Sequence, residues 1–137
     1  MNVQPDPTAV TAGLPLRRNA NGQPALCLVT GATGYIGGRL IAELLQHGYR
    51  VRVLARHAER LADHPWRSQV ELVEGDARSE AVLDEALAGV DVAYYLLHAL
   101  LEKDNFESLE REMATSFGAA ANRAGVSRLV YLGGIVT

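Results

Sequence analysis

The chain has 137 residues, of which 48 % are hydrophobic and 21 % are charged, and this composition suits one soluble globular domain. Its net charge of −3 provides no strongly basic face, so we expect no nucleic-acid partner. No apolar run approaches the roughly 20 residues that span a bilayer. The single cysteine, Cys27, excludes an intramolecular disulfide and lies in an apolar run, which predicts a buried thiol in a cytoplasmic protein. The sequence predicts no metal site.

The first 24 residues differ in composition from the rest of the chain. They contain four prolines and no apolar run of the kind found in a signal peptide. Such a segment cannot bury enough surface to offset the entropy cost of ordering it. We therefore predict a flexible tail over 1–24 and one domain over 25–137.

Strand patterns and helix patterns alternate from residue 25 onward. The first strand, Ala25–Thr30, is a continuous apolar run of the kind that is buried on both faces of a parallel sheet. The first helix, over 35–47, and the longest helix, over 105–123, carry apolar residues three and four positions apart. Further strands are predicted at 49–55, 70–73, 90–97 and 127–132, and further helices at 57–64 and between Ser79 and Gly89.

The apolar stripes and the helix ends predict how each helix is oriented. Ser79 is placed to cap the helix that follows it, and a glycine ends three of the helices, at positions 48, 89 and 125. The stripe of the first helix consists of Ile36, Leu40, Ile41, Leu44 and Leu45, and that of the longest helix consists of Phe106, Leu109, Met113, Phe117 and Ala120.

Repeated strand–helix–strand units predict an α/β fold, a doubly wound parallel sheet with helices on both faces and the Rossmann strand order 3-2-1-4-5. Helices after the first two strands then cover one face, and those after the next two cover the other. Because no helix follows the fifth strand in this sequence, we expect Val130, Leu132 or their neighbours to face water. We interpret the chain as a truncated product, a fragment, or a domain completed by an oligomer partner or a missing C-terminal half.

The segment T-G-A-T-G-Y-I-G, at Thr30–Gly37, lies between the first strand and the first helix. A pyrophosphate needs several N–H donors aimed at one point, and a helix N-terminus supplies them. Gly31 permits a sharp turn, Gly34 lets the backbone approach the phosphates, and Gly37 lets the helix pack close to the strand. In this context the spacing predicts a dinucleotide site. A P-loop is excluded, because no Gly-Lys-Ser/Thr ends the turn.

The end of the second strand indicates which dinucleotide is bound. NAD-selective sites place an acidic residue roughly 20 residues after the glycine turn, where it binds the ribose 2′-hydroxyl. Here the strand ends at Ala55-Arg56-His57 instead. The Arg56 guanidinium can hold a 2′-phosphate through two parallel hydrogen bonds, and Arg60 is a second candidate. We therefore predict NADP as the cofactor, with NAD as the alternative.

Asp76 follows the third strand, at the same carboxyl edge of the predicted sheet. Its carboxylate can accept a hydrogen bond from the amino group of an adenine. It can equally cap the helix that follows. The sequence leaves these two roles open.

These residues resemble the short-chain dehydrogenase/reductase superfamily, in its extended and atypical, NmrA-like NAD(P)H-binding branch. The resemblance rests on the glycine turn, on G-D-A at 75–77, on V-A-Y-Y-L-L-H-A at 92–99 and on Y-L-G-G at 131–134. For His98, a proton-relay role and an ordinary loop role both stay open. The resemblance, together with the reasoning above, gives as cofactor-binding residues Gly31, Thr33, Gly34, Tyr35, Ile36, Gly37, Arg56, Asp76, Ala77, Leu97 and His98.

The catalytic residues of that family are not found in this sequence. They are a Tyr-x-x-x-Lys pair after the fifth strand and a serine near that strand's end. The only lysine here is Lys103, which has no tyrosine four residues before it, and Gly133-Gly134 stand at the serine position, with Thr137 a poor substitute. The catalytic residues are therefore unknown. Two functions stay open: the NADP-binding part of an oxidoreductase that acts on a small molecule, or a non-catalytic, NADP-sensing regulatory or structural module.

Overall fold

The computed structural model describes residues 17–31, 35–96 and 106–131, with side chains in the last range from 111 onward. Those residues form one five-stranded sheet and three α-helices. The strands are β1 (Leu26–Thr30), β2 (Arg50–Ala55), β3 (Glu71–Glu74), β4 (Val92–Tyr95) and β5 (Arg128–Tyr131), and the helices are α1 (Tyr35–Gln46), α2 (Glu80–Leu87) and α3 (Phe106–Ala124). Within this part of the chain, no helix is both long and apolar enough to cross a membrane.

All strand pairs of the sheet are parallel, and the strand order is β3-β2-β1-β4-β5. This confirms the predicted Rossmann order. The central strand β1 pairs with β2 on one side and with β4 on the other, so that Thr30 lies opposite both Leu54 and Tyr95. Every residue of β1 is buried. A strand covered on both faces has no polar side to present, which explains its continuous apolar run.

The helices cover the two faces of the sheet as the sequence predicted. Helix α1 lies on one face, where Ile41 and Leu44 pack with alternate residues of β1 and β2, including the buried Cys27. Helices α2 and α3 lie on the other face and contact each other. Their buried residues there are Leu83, Ala86, Leu87, Phe117, Ala120 and Ala121, with Met113 partly buried beside them.

The connection between β2 and β3 differs from the prediction. In place of one polar helix over 57–64, the chain forms two short 3₁₀ segments, Ala58–Leu61 and Arg67–Gln69. Leu61, which ends the first segment, and Trp66, which directly precedes the second, enter the core on the α1 face, where both side chains are buried. These two buried side chains hold the connection between β2 and β3 in place. A longer helix does not form there, because the connection has no run of helically spaced apolar residues.

Residues 17–24, which the sequence analysis assigned to the tail, form a small closed turn against the sheet. Arg18 and Pro24 form an antiparallel bridge, and the amide of Ala25 donates to the carbonyl of Arg17 at 2.9 Å. The Asn19 side-chain oxygen accepts from two amides of the turn, and the Arg17 amide donates to the Tyr49 hydroxyl at 2.9 Å. Local hydrogen bonds therefore order a segment that has no apolar pattern.

Strand β5 is the edge strand beside β4, and it is more exposed than β4. Leu129 and Tyr131 are exposed, whereas Val130 is partly buried against the α1-side core. The exposed apolar residues of this strand are thus the two neighbours of Val130, on the α3 face of the sheet, whereas exposure was expected on the α1 face, where Val130 is partly buried. Leu132 lies outside the described residues. The Tyr131 ring stacks on Tyr95 at 5.4 Å, and Tyr95 packs against Phe117 at 4.8 Å, so this aromatic row joins β5, β4 and α3.

Arg52, in the middle of β2, holds the C-terminal end of α2. Its Nη1 donates to the carbonyl oxygens of Ala86 at 2.8 Å and Ala88 at 2.7 Å, while its Nε donates to the Glu71 carboxylate at 3.0 Å. The last carbonyls of a helix lack intrahelical partners and carry the negative end of the helix dipole. A mostly buried guanidinium is therefore a favourable cap, and it ties α2 to the sheet.

Replacing Arg52 with alanine is expected to destabilise the fold by about 1–3 kcal/mol, because two helix carbonyls lose their charged donor. Glu71→Ala removes only the exposed partner of Arg52, and a cost of about 0–1 kcal/mol is expected. Urea unfolding of both variants and the parent chain measures the two effects. Equal losses in the two variants would show that the ion pair, and not the helix cap, is what Arg52 contributes.

Candidate functional site

The carboxyl ends of the first three strands meet at one edge of the sheet. The register places Thr30 opposite Leu54, and Ala55 opposite Glu74, so β1, β2 and β3 all end at similar height. The segments that follow them begin at Gly31, Arg56 and Gly75. In an open parallel sheet, this edge is where ligands bind. The predicted site residues that the structure describes fall at this edge or on the elements that leave it.

The turn after β1 starts with a backbone conformation that favours glycine. Gly31 has a φ of +99°, and L side chains rarely adopt that region. Thr33 and Gly34 lie outside the described residues. Gly37 is buried on α1. The φ of Gly31 is thus one that a sharp turn out of the strand needs.

The first turn of α1 presents two large side chains to solvent. Tyr35 is 78 % exposed and Ile36 is 56 % exposed. The prediction that Ile36 belongs to the core-facing stripe is wrong, because the stripe becomes buried only further along the helix, at Ile41 and Leu44. The Arg39 guanidinium lies over the Tyr35 ring at 5.8 Å and hydrogen bonds to its hydroxyl at 3.3 Å.

Arg56 stands directly after β2, and its side chain is exposed. Among the residues that the structure describes, none forms a hydrogen bond or an ion pair with its guanidinium. The nearby carboxylate of Glu74, at the end of β3, instead accepts a hydrogen bond from the amide of Ala58 at 2.9 Å. That contact holds the start of the 3₁₀ segment and engages one negative charge that could otherwise pair with Arg56.

Asp76 is held by Arg78, two residues further along the chain. The Arg78 amide donates to Oδ1 at 2.8 Å, its Nη2 donates to Oδ2 at 2.9 Å, and its Nε lies 3.2 Å from both oxygens. The alternative in which Asp76 caps the next helix is wrong. Ser79 caps α2, as predicted from its own position, and its hydroxyl accepts from the amide of Val82 at 3.3 Å.

The same contacts keep the Asp76 carboxylate ionised. Its hydrogen bonds with the Arg78 side chain and amide, with a smaller contribution from the charges of Arg78 and Arg56, lower the pKa of Asp76 to about 2. Because the Asp76 side chain keeps 37 % of its surface exposed, this fixed negative charge is accessible to a ligand.

Gly75 is required by close packing. A Cβ atom at this position would lie 2.8 Å from both methyl groups of Val82 on α2. Valine is branched at Cβ and has little freedom to move such methyls aside. The glycine therefore lets the Asp76 turn lie directly against the start of α2. Ala77, the third residue of the G-D-A motif, is partly buried against the α2–α3 core.

Two features of this edge were missed by sequence reasoning. The hydroxyl of Thr30 is fully buried and finds no hydrogen-bond partner among the described residues. Arg78 was not considered at all, although an aspartate two residues before an arginine in a turn is a pattern that permits this local pairing. Leu97 and His98 follow β4 and lie outside the described residues, next to Leu96, whose amide donates to the carbonyl of Thr30 at 2.9 Å.

Comparison with known proteins bears on what this edge binds. A family model described as NAD(P)H-binding matches residues 31–137, which includes every segment of the edge after Thr30. The chain belongs to this NAD(P)H-binding family. Its strand order and its relatives are those of a short-chain dehydrogenase/reductase type of Rossmann domain, as the resemblance in sequence predicted.

Several relatives of this NAD(P)H-binding domain are reductases or dehydrogenases. The chain is 40 % identical over 107 residues to (4-alkanoyl-5-oxo-2,5-dihydrofuran-3-yl)methyl phosphate reductase of Streptomyces griseus, covering 78 % of this chain and 34 % of that one. It is 33 % identical over 115 residues to a 3β-hydroxysteroid dehydrogenase/Δ5→4-isomerase of Mycobacterium tuberculosis, covering 76 % and 30 %. The chain thus spans about a third of the length of these relatives.

A solved structure gives the same picture of the NAD(P)H-binding domain. The triphenylmethane reductase of Citrobacter sp., complexed with NADP(H), superposes with a TM-score of 0.63 at 28 % identity. The match covers 78 % of this chain and 36 % of the reductase. The fold and the cofactor class, a nicotinamide dinucleotide, are therefore established for this domain.

Gly75→Ala is expected to lower the free energy of unfolding by about 1–3 kcal/mol, because the new methyl overpacks against Val82. Gly118→Ala is the matched control, since Gly118 lies in α3 with open space around the added Cβ. That change should instead raise stability by about 0.5–1 kcal/mol, because alanine is favoured over glycine inside a helix. Urea midpoints of the two variants check this, and a Gly75→Ala variant as stable as the parent would contradict the packing argument.

Proposed function

We propose that this chain is the NADP(H)-binding domain of a reductase of the short-chain dehydrogenase/reductase type, with NADP preferred over NAD. The observation that carries the preference is the electrostatic state of the edge formed by β2 and β3. The position that an acidic residue occupies in NAD-selective sites is held by Arg56. The carboxylates of Glu74, which ends β3 opposite Ala55, and of Asp76 are engaged by other donors.

A guanidinium with no partner among the described residues favours an anionic ligand at this edge. A 2′-phosphate offers two oxygens that a planar guanidinium can bind with two hydrogen bonds, whereas a 2′-hydroxyl offers no charge. A carboxylate that accepts hydrogen bonds keeps its charge, but neither Glu74 nor Asp76 forms an ion pair with Arg56, since each is bound by other donors. Their engagement leaves Arg56 available, and this supports NADP as the ligand over NAD.

The other predicted residues of the edge are assigned to the remaining parts of such a cofactor. We assign the pyrophosphate to the turn and first helical residues at Gly31, Thr33, Gly34, Tyr35, Ile36 and Gly37, where a positive-φ glycine leads to the N-terminal end of α1. The adenine is assigned to Asp76 and Ala77, and Leu97 and His98 are proposed to lie along the cofactor. When bound, the nicotinamide ring supplies or accepts a hydride.

The reaction of the whole protein is a further proposal. The relatives described above are reductases and a dehydrogenase, which favours a reductase that acts on a small organic substrate. The single lysine, Lys103, is preceded four residues earlier by Ala99, so the Tyr-x-x-x-Lys pair is absent from these 137 residues. The function proposed for these residues is therefore cofactor binding. A non-catalytic, NADP-sensing module of the NmrA-like kind is the second candidate, and Gly133-Gly134 at the position of the family's serine favour it.

Titration with NADPH and NADH tests the cofactor assignment through the change in nicotinamide fluorescence on binding. We expect the parent chain to bind NADPH more tightly than NADH by roughly ten-fold to a hundred-fold, the range for a hydrogen-bonded charged pair. Arg56→Ala should remove most of that difference while leaving NADH affinity nearly unchanged, because NADH lacks the 2′-phosphate.

Arg128→Ala is the control, since Arg128 is also an exposed arginine but begins β5, at the opposite edge of the sheet. Its effect on the NADPH-over-NADH ratio should be smaller than that of Arg56→Ala. Tighter binding of NADH by the parent chain would overturn the NADP assignment, and failure to bind either dinucleotide would overturn the binding function itself.

A further inference from the structure

The turn after β3 contains a hydrogen-bond acceptor, the Asp76 carboxylate, that is held in one orientation by its neighbour. The carboxylate of Asp76 receives three N–H groups, and all of them belong to Arg78: the backbone amide, Nε and Nη2. Nε lies 3.2 Å from both carboxylate oxygens, and the two other donors each bind a different oxygen at 2.8 and 2.9 Å. Such a planar fork fixes the rotation of the carboxylate as well as its position.

This arrangement leaves capacity for one further donor. An ionised carboxylate offers about four lone-pair sites, and three are matched by the N–H groups of Arg78. The Asp76 side chain is 37 % exposed, so the remaining acceptor position is reachable from the ligand edge. Because the carboxylate is held in one orientation, its unused lone pair can accept one hydrogen bond from an N–H group of a ligand.

The guanidinium of Arg78 is at the same time committed. Its Nε and Nη2 both point to Asp76, whereas Arg56 has no such partner among the described residues. The two arginines at this edge thus have different environments, although both are exposed cations. Arg56 is available to bind an anion directly, and Arg78 is used internally.

We propose that Arg78 is a positioning residue that aims the Asp76 carboxylate at the exocyclic amino group of adenine, and thereby makes the site selective for adenine over 6-oxopurines such as hypoxanthine. The inference rests on the proposed function, since it needs a dinucleotide at this edge. Adenine carries an N–H₂ donor at the purine 6-position, and hypoxanthine carries a carbonyl oxygen there. A fixed carboxylate accepts from the first and repels the second.

The experiment compares the 137-residue chain and its variants for NADPH, NADH and reduced nicotinamide hypoxanthine dinucleotide phosphate, all followed by nicotinamide fluorescence. Two ratios of dissociation constants are measured. The base ratio is the dissociation constant of the hypoxanthine dinucleotide divided by that of NADPH. The phosphate ratio is the dissociation constant of NADH divided by that of NADPH. In the parent chain the base ratio is expected to be about ten or more, as for a hydrogen bond to a charged group.

Arg78→Ala is expected to bring the base ratio to within about three-fold of one, while the phosphate ratio keeps its parent value. Arg78→Lys retains the positive charge but lacks the planar fork, so its base ratio should also fall. Arg56→Ala should do the reverse, lowering the phosphate ratio and leaving the base ratio unchanged. Because Arg78 is half exposed, these variants should fold, and far-ultraviolet circular dichroism verifies it.

Three results would overturn the inference while the proposed function stands. In the first, Arg78→Ala weakens NADPH and its hypoxanthine analogue equally, which would show a merely structural role. In the second, Arg78→Lys keeps the full base ratio, so charge and not orientation would matter. In the third, Arg78→Ala lowers the phosphate ratio, and Arg78 would then bind the phosphate itself. A parent chain that binds none of the three dinucleotides would instead overturn the proposed function.

Discussion

The central strand β1 constrains every other part of this domain. It is hydrogen-bonded along both sides and covered on both faces, so its side chains must be apolar and its neighbours must lie in register with it. Because the sheet is parallel, aligning β2 and β4 with β1 also aligns their carboxyl ends. The polar residues that follow the strands are thereby gathered at a single edge, although they are far apart in sequence. The site is thus a consequence of the packing of five buried residues.

Charge at that edge is arranged by local contacts. Glu74 is bound to an amide of the following connection, and Asp76 is bound by Arg78 within its own turn. These contacts remove two carboxylates from competition for the exposed Arg56. A guanidinium with no acidic partner among the described residues is then the most available cation for a phosphate, while the oriented Asp76 carboxylate remains an acceptor. The proposed preference for NADP therefore rests on which charges are already paired, in addition to which residues are present.

Much of the fold follows from the sequence by simple physical rules. The apolar run of β1 and the helical spacing of Ile41 and Leu44 predicted the layers, and the glycines at 48, 89 and 125 all have the positive φ expected where a helix ends. Ser79 caps α2 as its type and position predicted. These features depend on residues close in sequence or on strong burial, and both are visible in a single sequence.

The predictions that the structure corrects depend on contacts between residues that no local sequence pattern specifies. Ile36 has the right spacing for the α1 stripe, but it lies at the start of the helix, where no core covers it. The connection after β2 is fixed by Leu61 and Trp66, two anchors without a helical period. The role of Asp76 was left open because its partner, Arg78, acts through a side-chain contact. Site assignments for Thr33, Gly34, Leu97 and His98 stay predictions, since these residues lie outside those described.

The central claim, that a dinucleotide binds at the carboxyl edge of β1, β2 and β3, is tested most directly by ¹H–¹⁵N correlation spectra recorded while NADPH is added to the chain. The account predicts the largest shifts at the amides of Gly31, Arg56 and Asp76. Amides at the opposite edge, such as Asp91 and Ser127, which hold the starts of β1 and β5 through their hydrogen bonds, should stay unchanged. Shifts confined to that opposite edge, or no shifts at saturating NADPH, would contradict it.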